Sequence, residues 1–309
     1  MRSSRFVALL VGGSSATGNC PISWNPSGSH SPMVDVTVTL EDGFRVSGRI
    51  NLEMGPDAQG WIGLLGPPTD TLSGTLHLLG VDNLEIQDNL SIGGYFNRTD
   101  LGYLNLNPQT LYTTSLGSFI ISPSEFVVGP SDPQSYCRAG SEFTELSLAD
   151  ISPRTWITRI SNTGGQVVID TSQRLTITAA DHARFLEQIA ESNREDGLVL
   201  STSRNYPYWW VDMCDIDRMD EIWPILSFSL ETIDGGSFDV EFTPRDYIKI
   251  EYVNDHTNAP QNRCIIDVGE SPPMYPRTYF LGNTLFKKYA VYFEQVDAPQ
   301  MGICLARSQ

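Results

Sequence analysis

Apolar residues recur at every second position over short stretches along much of the chain, which is the period of a half-buried strand. Val34-Asp35-Val36-Thr37-Val38-Thr39-Leu40 alternates in this way. Asp42-Gly43, a strong hairpin signal, follows it, and Phe44-Arg45-Val46-Ser47-Gly48-Arg49-Ile50 returns as the partner strand. Residues 6–11, 90–95, 102–106 and 225–230 predict further strands. The continuous run Gln166-Val167-Val168-Ile169 predicts a buried strand that ends on Asp170-Thr171-Ser172. One stretch leaves the period of two. Between Thr178 and Ile189, apolar residues at Ala179, Ala183, Leu186 and Ile189 approach helical spacing. With Gly and Pro spread along the chain, the pattern predicts an all-β fold with a few short helices.

A chain of 309 residues has room for one large or two ordinary domains, and its 40% hydrophobic and 18% charged residues suit a packed core. The formal net charge of −17 repels nucleic acid and anionic membrane, so neither is expected as a partner. The same acidity serves solubility or, more sharply, suits a working environment of low pH, where protonation relieves self-repulsion. No apolar run reaches the roughly 18 residues that a membrane span needs. Arg2, Arg5 and the apolar residues 6–11 have the outline of a short signal peptide, but they read better as a strand and turn.

The cysteines are Cys20, Cys137, Cys214, Cys264 and Cys304, with no Cys-x-x-Cys and no zinc spacing. An odd count leaves at least one outside an intrachain pair. Asn89-Leu90-Ser91 and Asn97-Arg98-Thr99 are acceptor sequons, meaningful only in a secretory compartment. His30, His77, His182 and His256 share no metal-ligand spacing, and His182 reads as a solvated or capping residue. Gly12-Gly13-Ser14-Ser15 lacks the Gly-Lys-Ser/Thr of a phosphate loop. Tyr206-Pro207-Tyr208-Trp209-Trp210 could stack on a ligand, but packing beside Cys214 is the commoner fate of such a cluster. No cofactor and no metal is expected.

Asp170 is the residue with chemistry to offer. A strand that delivers a carboxylate beside Thr171 and Ser172 can hold it ionised through hydrogen bonds. A lone Asp at a strand end is otherwise a turn former. Residues 6–15 repeat the outline of this segment, an apolar strand followed by a turn with two hydroxyls, which suggests an internally duplicated fold.

Taken in order, several segments resemble the pepsin-like aspartic peptidases. Leu9-Leu10-Val11-Gly12-Gly13-Ser14-Ser15 is similar to the first catalytic strand, which in the family runs into Asp-Thr-Gly-Ser-Ser. Trp24-Asn25-Pro26-Ser27-Gly28-Ser29 resembles the Phe-Asn-Pro-Ser-x-Ser loop, and Gly60-Trp61-Ile62-Gly63-Leu64-Leu65-Gly66 the Asp-Gly-Ile-Leu-Gly-Leu-Gly segment. Ile92-Gly93-Gly94 and Gly102-Tyr103-Leu104 are similar to strands near the end of the first lobe. Val168-Ile169-Asp170-Thr171-Ser172 resembles the second catalytic motif, with Ser172 where Gly is usual. Phe280-Leu281-Gly282-Asn283, Tyr289-Ala290-Val291-Tyr292-Phe293 and Met301-Gly302-Ile303 are similar to the C-terminal signature.

The resemblance implies a bilobal fold, with a shortened first lobe at 1–110 and a second lobe at 111–309 carrying the Asp170 motif. It also implies a Cys214–Cys264 disulfide, leaving the pairing of Cys20, Cys137 and Cys304 open. A secretory, extracellular or vacuolar compartment follows from the family, the sequons and that bridge. Residues 129–165, rich in Pro, Ser and acids, look like an insertion. There is no room before Met1 for a propeptide or the family's first strands, so the chain reads as a fragment or an incomplete gene model.

Chemistry in the family is implied to need two carboxylates about 3 Å apart that share one proton and so titrate as a pair. Asp170 supplies one, but Val11 stands at the other position. Asp35, Glu41 and Asp42 are the nearest acids; Glu41 and Asp42 fall on a hairpin that resembles the family's flap without its Tyr, and both read as surface turn acids. The expected function is therefore a catalytically impaired homologue that binds a peptide or protein in the interlobe cleft. The alternative is an active acid endopeptidase that pairs Asp170 with a carboxylate from elsewhere or from a dimer partner.

Overall fold

A computed structural model describes residues 9–10, 17–24, 32–40, 45–53, 70–78, 81–82, 85–92, 104–112, 118–129, 131–152, 155–171, 173–203, 206–212, 214–254, 260–294 and 299–308. Strands dominate it. The first part of the chain contributes β1 (Leu9–Leu10), β2 (Thr17–Trp24), β3 (Pro32–Leu40), β4 (Arg45–Glu53), β5 (Asp70–Leu78), β6 (Val81–Asp82), β7 (Glu85–Ile92) and β8 (Leu104–Tyr112). The alternation at 34–50 becomes an antiparallel hairpin of β3 and β4, in register from Met33 opposite Asn51 to Thr39 opposite Arg45. Asn89 of the first sequon lies within β7, opposite Ser73 of β5. Asn97 of the second is outside the described residues.

Next come β9 (Ser118–Ile121), β10 (Glu125–Val128), a 3-10 turn at Pro133–Tyr136, β11 (Thr144–Glu145), β12 (Leu148–Ser152), β13 (Thr155–Arg159), β14 (Gln166–Ile169) and β15 (Leu175–Ile177). The helix α1 (Ala179–Glu195) leads to β16 (Leu200–Ser203), β17 (Tyr206–Asp212), α2 (Ile216–Ile222), β18 (Leu226–Glu231), β19 (Ser237–Phe242) and α3 (Pro244–Tyr247). The remainder is β20 (Ile248–Asn254), β21 (Pro260–Ile266), β22 (Val268–Glu270), β23 (Thr278–Leu281), α4 (Asn283–Phe286), β24 (Tyr289–Glu294) and β25 (Gln300–Leu305).

A 13-stranded sheet joins the two parts of the chain: β10 pairs with β2 and β9, β9 with β24, β24 with β25, and β25 with β11. The expected boundary at 110/111 falls inside β8. A second sheet runs β12-β13-β14-β23-β15-β22, and a third β16-β17-β21-β20. Phe119 of β9 stacks on Phe293 of β24 at 4.8 Å, and Trp156 of β13 meets the same ring at 4.9 Å. All three are buried, so the sheets share one core.

Trp156 also shows that residues 129–165, expected to be an insertion, pack into the core. That stretch supplies β11, β12 and β13, and it buries Leu146 and Trp156, so a few large side chains anchor a polar segment. Among the described residues no helix is long and apolar enough to cross a membrane.

The helix expected after Thr178 is present, but its buried face differs from the one read in the sequence. Ala179 and Ala183 are exposed, whereas His182, Phe185, Ile189 and Asn193 are buried and lie three or four positions apart on one side. His182 is therefore a buried residue, not a solvated one. Asn193 can be buried because its side-chain oxygen accepts from the Trp223 indole at 2.8 Å. Thr178 caps α1 by accepting from the Asp181 amide.

Two disulfides are present. Cys214–Cys264 spans 50 residues, and Cys137–Cys304, left open by the sequence, spans 167. Cys20 is a buried thiol on β2.

Candidate functional site

The segment Gln166–Ile169 forms β14, which runs parallel to β23 with Ile169 opposite Leu281. Both strands are flanked in the sheet, β14 by β13 and β23 by β15, and Val167 and Ile169 are buried. A run of β-branched residues suits that doubly packed position. At its end the chain turns: the Asp170 amide donates to the Leu281 carbonyl at 3.5 Å, and the Gln173 amide to the Asp170 carbonyl at 3.3 Å. The Asn283 amide closes the arrangement on the Gln173 carbonyl at 3.0 Å.

Gly282 makes this closeness possible. A Cβ there would sit 1.7 Å from the Gln173 carbonyl oxygen, far inside contact distance, so the turn and the start of α4 can meet only at a residue without a side chain. The turn is consequently packed, with Asp170 7% exposed and Thr171 fully buried. Neither lacks an interaction partner. Ser172, Val11, Glu41 and Asp42 lie outside the described residues, and Asp35 sits in β3 opposite Arg49.

Two polar residues beside the turn were not singled out in the sequence. Asn283 and Thr284 are 3% and 2% exposed, and the Thr284 hydroxyl donates to the Asn283 side chain at 3.3 Å. The signal for them was Gly282 preceding Asn283, a small residue followed by a polar one at a strand end. A buried carboxylate held in such a turn can accept hydrogen bonds or take a proton. Alone, it cannot provide the split titration of a carboxylate pair.

Other ionisable groups surround this sheet. Asp267, between β21 and β22, is 3% exposed and is paired with the Lys249 ammonium at 2.6 Å. Its second oxygen, Oδ1, has no partner. Lys287, after α4, is exposed along its length while its ammonium lies over the Trp24 ring at 5.5 Å. Desolvation of that ammonium and the Lys249 charge lower its pKa, and Asp267 opposes them. Burial lowers the His182 pKa, and the Arg174 charge adds to this, while a hydrogen bond to the Val268 backbone and the Glu270 charge act the other way.

Tyr208, Trp209 and Trp210 lie on β17. Trp209 packs against the core and the Arg174 guanidinium lies over the Tyr208 ring, so this aromatic cluster is largely structural. A groove of about 530 Å³ between α1 and α2 is lined by Gln188, Glu191, Ser192, Arg218, Ile222 and Pro224, none of them from the Asp170 turn. The sequence matches no protein-family model and no curated protein.

Proposed function

We propose that this chain is a bilobal, pepsin-like aspartic-peptidase homologue whose cleft binds a peptide or protein segment without cutting it. The observation that carries the reading is the Asp170 turn. A buried carboxylate follows β14, beside a parallel strand, and the turn is held against Gly282 by a contact that excludes any side chain. The motif resemblance and this local arrangement fall on the same residues. Val11 at the matching position of the first half removes the second carboxylate, and general acid–base help of that kind is worth roughly 10²–10⁴ in rate. A secretory or vacuolar compartment fits the two disulfides, which persist in oxidising surroundings.

The test is cleavage of an unfolded protein substrate between about pH 3 and about pH 6, where a carboxylate pair would share its proton. The native chain is expected to be silent and Val11→Asp to gain activity. Retained peptide binding in Asp170→Ala would agree with a cleft that binds without catalysis. Cleavage by the native chain that Asp170→Ala abolishes would overturn the proposal in favour of an active acid endopeptidase with a second carboxylate from elsewhere.

A further inference from the structure

The polar groups around Gly269 on β22 are not used by the Asp170 turn. Gly269 is the register partner of Thr176 where β15 and β22 run parallel, so both residues present the same face. The space a side chain would take at Gly269 is filled by Arg174. A Cβ there would lie 2.5 Å from Nε and 2.8 Å from Cζ and Nη2 of the guanidinium. The other side of the guanidinium faces the Tyr208 ring, 4.9 Å from its centroid. Arg174 is thus clamped between a glycine and an aromatic ring. It makes no ion pair among the described residues.

Two buried groups lie on elements next to it: Thr176 in β15, two residues after Arg174, and His182 on α1, which packs against β22. The His182 ring lies against the backbone of Val268, the residue before Gly269, and its Nε2 is buried without a partner. The Thr176 hydroxyl is likewise buried without a partner. These side chains are 9% and 7% exposed, and buried polar groups ordinarily find hydrogen bonds. A guanidinium, a hydroxyl and an imidazole have one shared capability, donation to oxygen atoms that carry negative charge.

We propose that Arg174, Thr176 and His182 form a binding site for a single carboxylate or other small oxyanion, with Gly269 leaving room for the Arg174 guanidinium. The site stands apart from the peptide-binding reading and does not depend on it. Arg174 supplies the permanent charge, and half-exposed Tyr208 and Arg174 give the approach from solvent. Protonated His182 carries a proton on Nε2 and adds a positive charge, so binding favours uptake of a proton.

The charged groups facing His182 are Arg174, which opposes protonation, and Glu270 on β22, which favours it. On α1 the neighbouring Asp181 is turned to Tyr279, Thr178 and Arg184, and β16, packed against α1, carries no titratable residue. A bound anion adds to Glu270 and offsets Arg174. Affinity therefore rises as the pH falls below the ordinary histidine range.

Isothermal titration of the full chain with sodium sulfate, at about pH 5 and about pH 7.5, tests the site. A short peptide with one Glu, and its Gln counterpart, are titrated in parallel. Binding of sulfate or of the Glu peptide is expected, about tenfold tighter at the lower pH. Arg174→Gln is expected to weaken it about tenfold or more, and His182→Gln to abolish the pH dependence. Gly269→Ala should weaken it as Arg174→Gln does, since the new methyl only pushes aside a flexible side chain, leaving near-ultraviolet circular dichroism unchanged.

A marked preference for the Glu peptide over sulfate would identify the anion as part of a peptide, and the reverse would identify a free ion. No heat from sulfate or the Glu peptide at the lower pH would overturn the proposal. So would an affinity unchanged in both Arg174→Gln and Gly269→Ala.

Discussion

The phenol of Tyr279 donates to a carboxylate oxygen of Asp181 at 2.6 Å, tying the strand beside the Asp170 turn to the first turn of α1. The Thr178 hydroxyl donates to the same oxygen at 2.7 Å. Burial alone would raise the Asp181 pKa, but the two hydroxyls and the Arg184 charge outweigh it and leave the carboxyl below its usual value. Burial and the Asp181 carboxylate push the Tyr279 phenol up to about 12. Tyr279→Phe is expected to cost about 1–2 kcal/mol at neutral pH, measured by urea denaturation. Because the folded pKa of Asp181 is depressed, this contribution is complete above the unfolded value near ~3.9 and is lost as the pH falls through the folded one. The gap between wild type and Tyr279→Phe should close in the same range.

His182 gives a second pH effect at a higher range. Its folded pKa lies below its unfolded value near ~6.5, so the unfolded chain takes up the proton first. Stability should fall with pH from about 6.5 until the folded pKa is passed, at no more than about 1.4 kcal/mol per pH unit. In His182→Gln that slope should disappear from a urea series run in buffers without multivalent anions. An unchanged slope would assign the effect to other groups.

Gly282→Ala drives a Cβ into the Gln173 carbonyl, where backbone on both sides has to move. A loss of about 3 kcal/mol or more is expected by thermal denaturation, near the upper end of overpacking costs. Gly269→Ala, which meets only the end of a flexible arginine, should cost far less. The difference between these two glycines is the check.

Lys249→Met removes the partner of a carboxylate that is 3% exposed. Breaking a fully buried pair costs about 3–5 kcal/mol, and the partial exposure of Lys249 lowers the expectation to about 2 kcal/mol. Adding Asp267→Asn to Lys249→Met should recover part of the loss, since it removes the buried charge. Denaturation midpoints of the single and double variants decide this.

Chain entropy sets the expected cost of each disulfide. Removing Cys214–Cys264 by paired Ser substitutions should cost about 4 kcal/mol, and Cys137–Cys304, with its longer loop, about 5 kcal/mol. A larger loss from the shorter loop would mean that packing at the cysteines outweighs loop length.

Strands were legible where a local rule was enough. The β3–β4 hairpin shows as alternation around Asp42-Gly43, and β14 as a β-branched run, because both depend on neighbours a few residues apart. The position of Asp170 followed from the strand that carries it. What escaped depends on partners distant in sequence. His182 and Asn193 look like surface residues of a helix until the Val268 carbonyl and the Trp223 indole are placed beside them. Residues 129–165 look peripheral until Trp156 is seen against Phe293. The Cys137–Cys304 pairing and the contact between Gly282 and Gln173 likewise exist only in the folded sheet order.

That sheet order also governs what happens during synthesis. The β9 edge is completed by β24, and Phe119 acquires its stacking partner only when Phe293 exists. At roughly 5–20 residues per second, the ribosome takes on the order of ten seconds to make the intervening chain. Throughout that interval the nascent protein carries an open apolar strand edge, and Cys137 is waiting for a cysteine not yet translated. In an oxidising compartment, a bond formed by Cys137 in that window would join another thiol, and thiol–disulfide exchange would have to undo it. In such a compartment the yield of native protein should therefore depend on a disulfide isomerase.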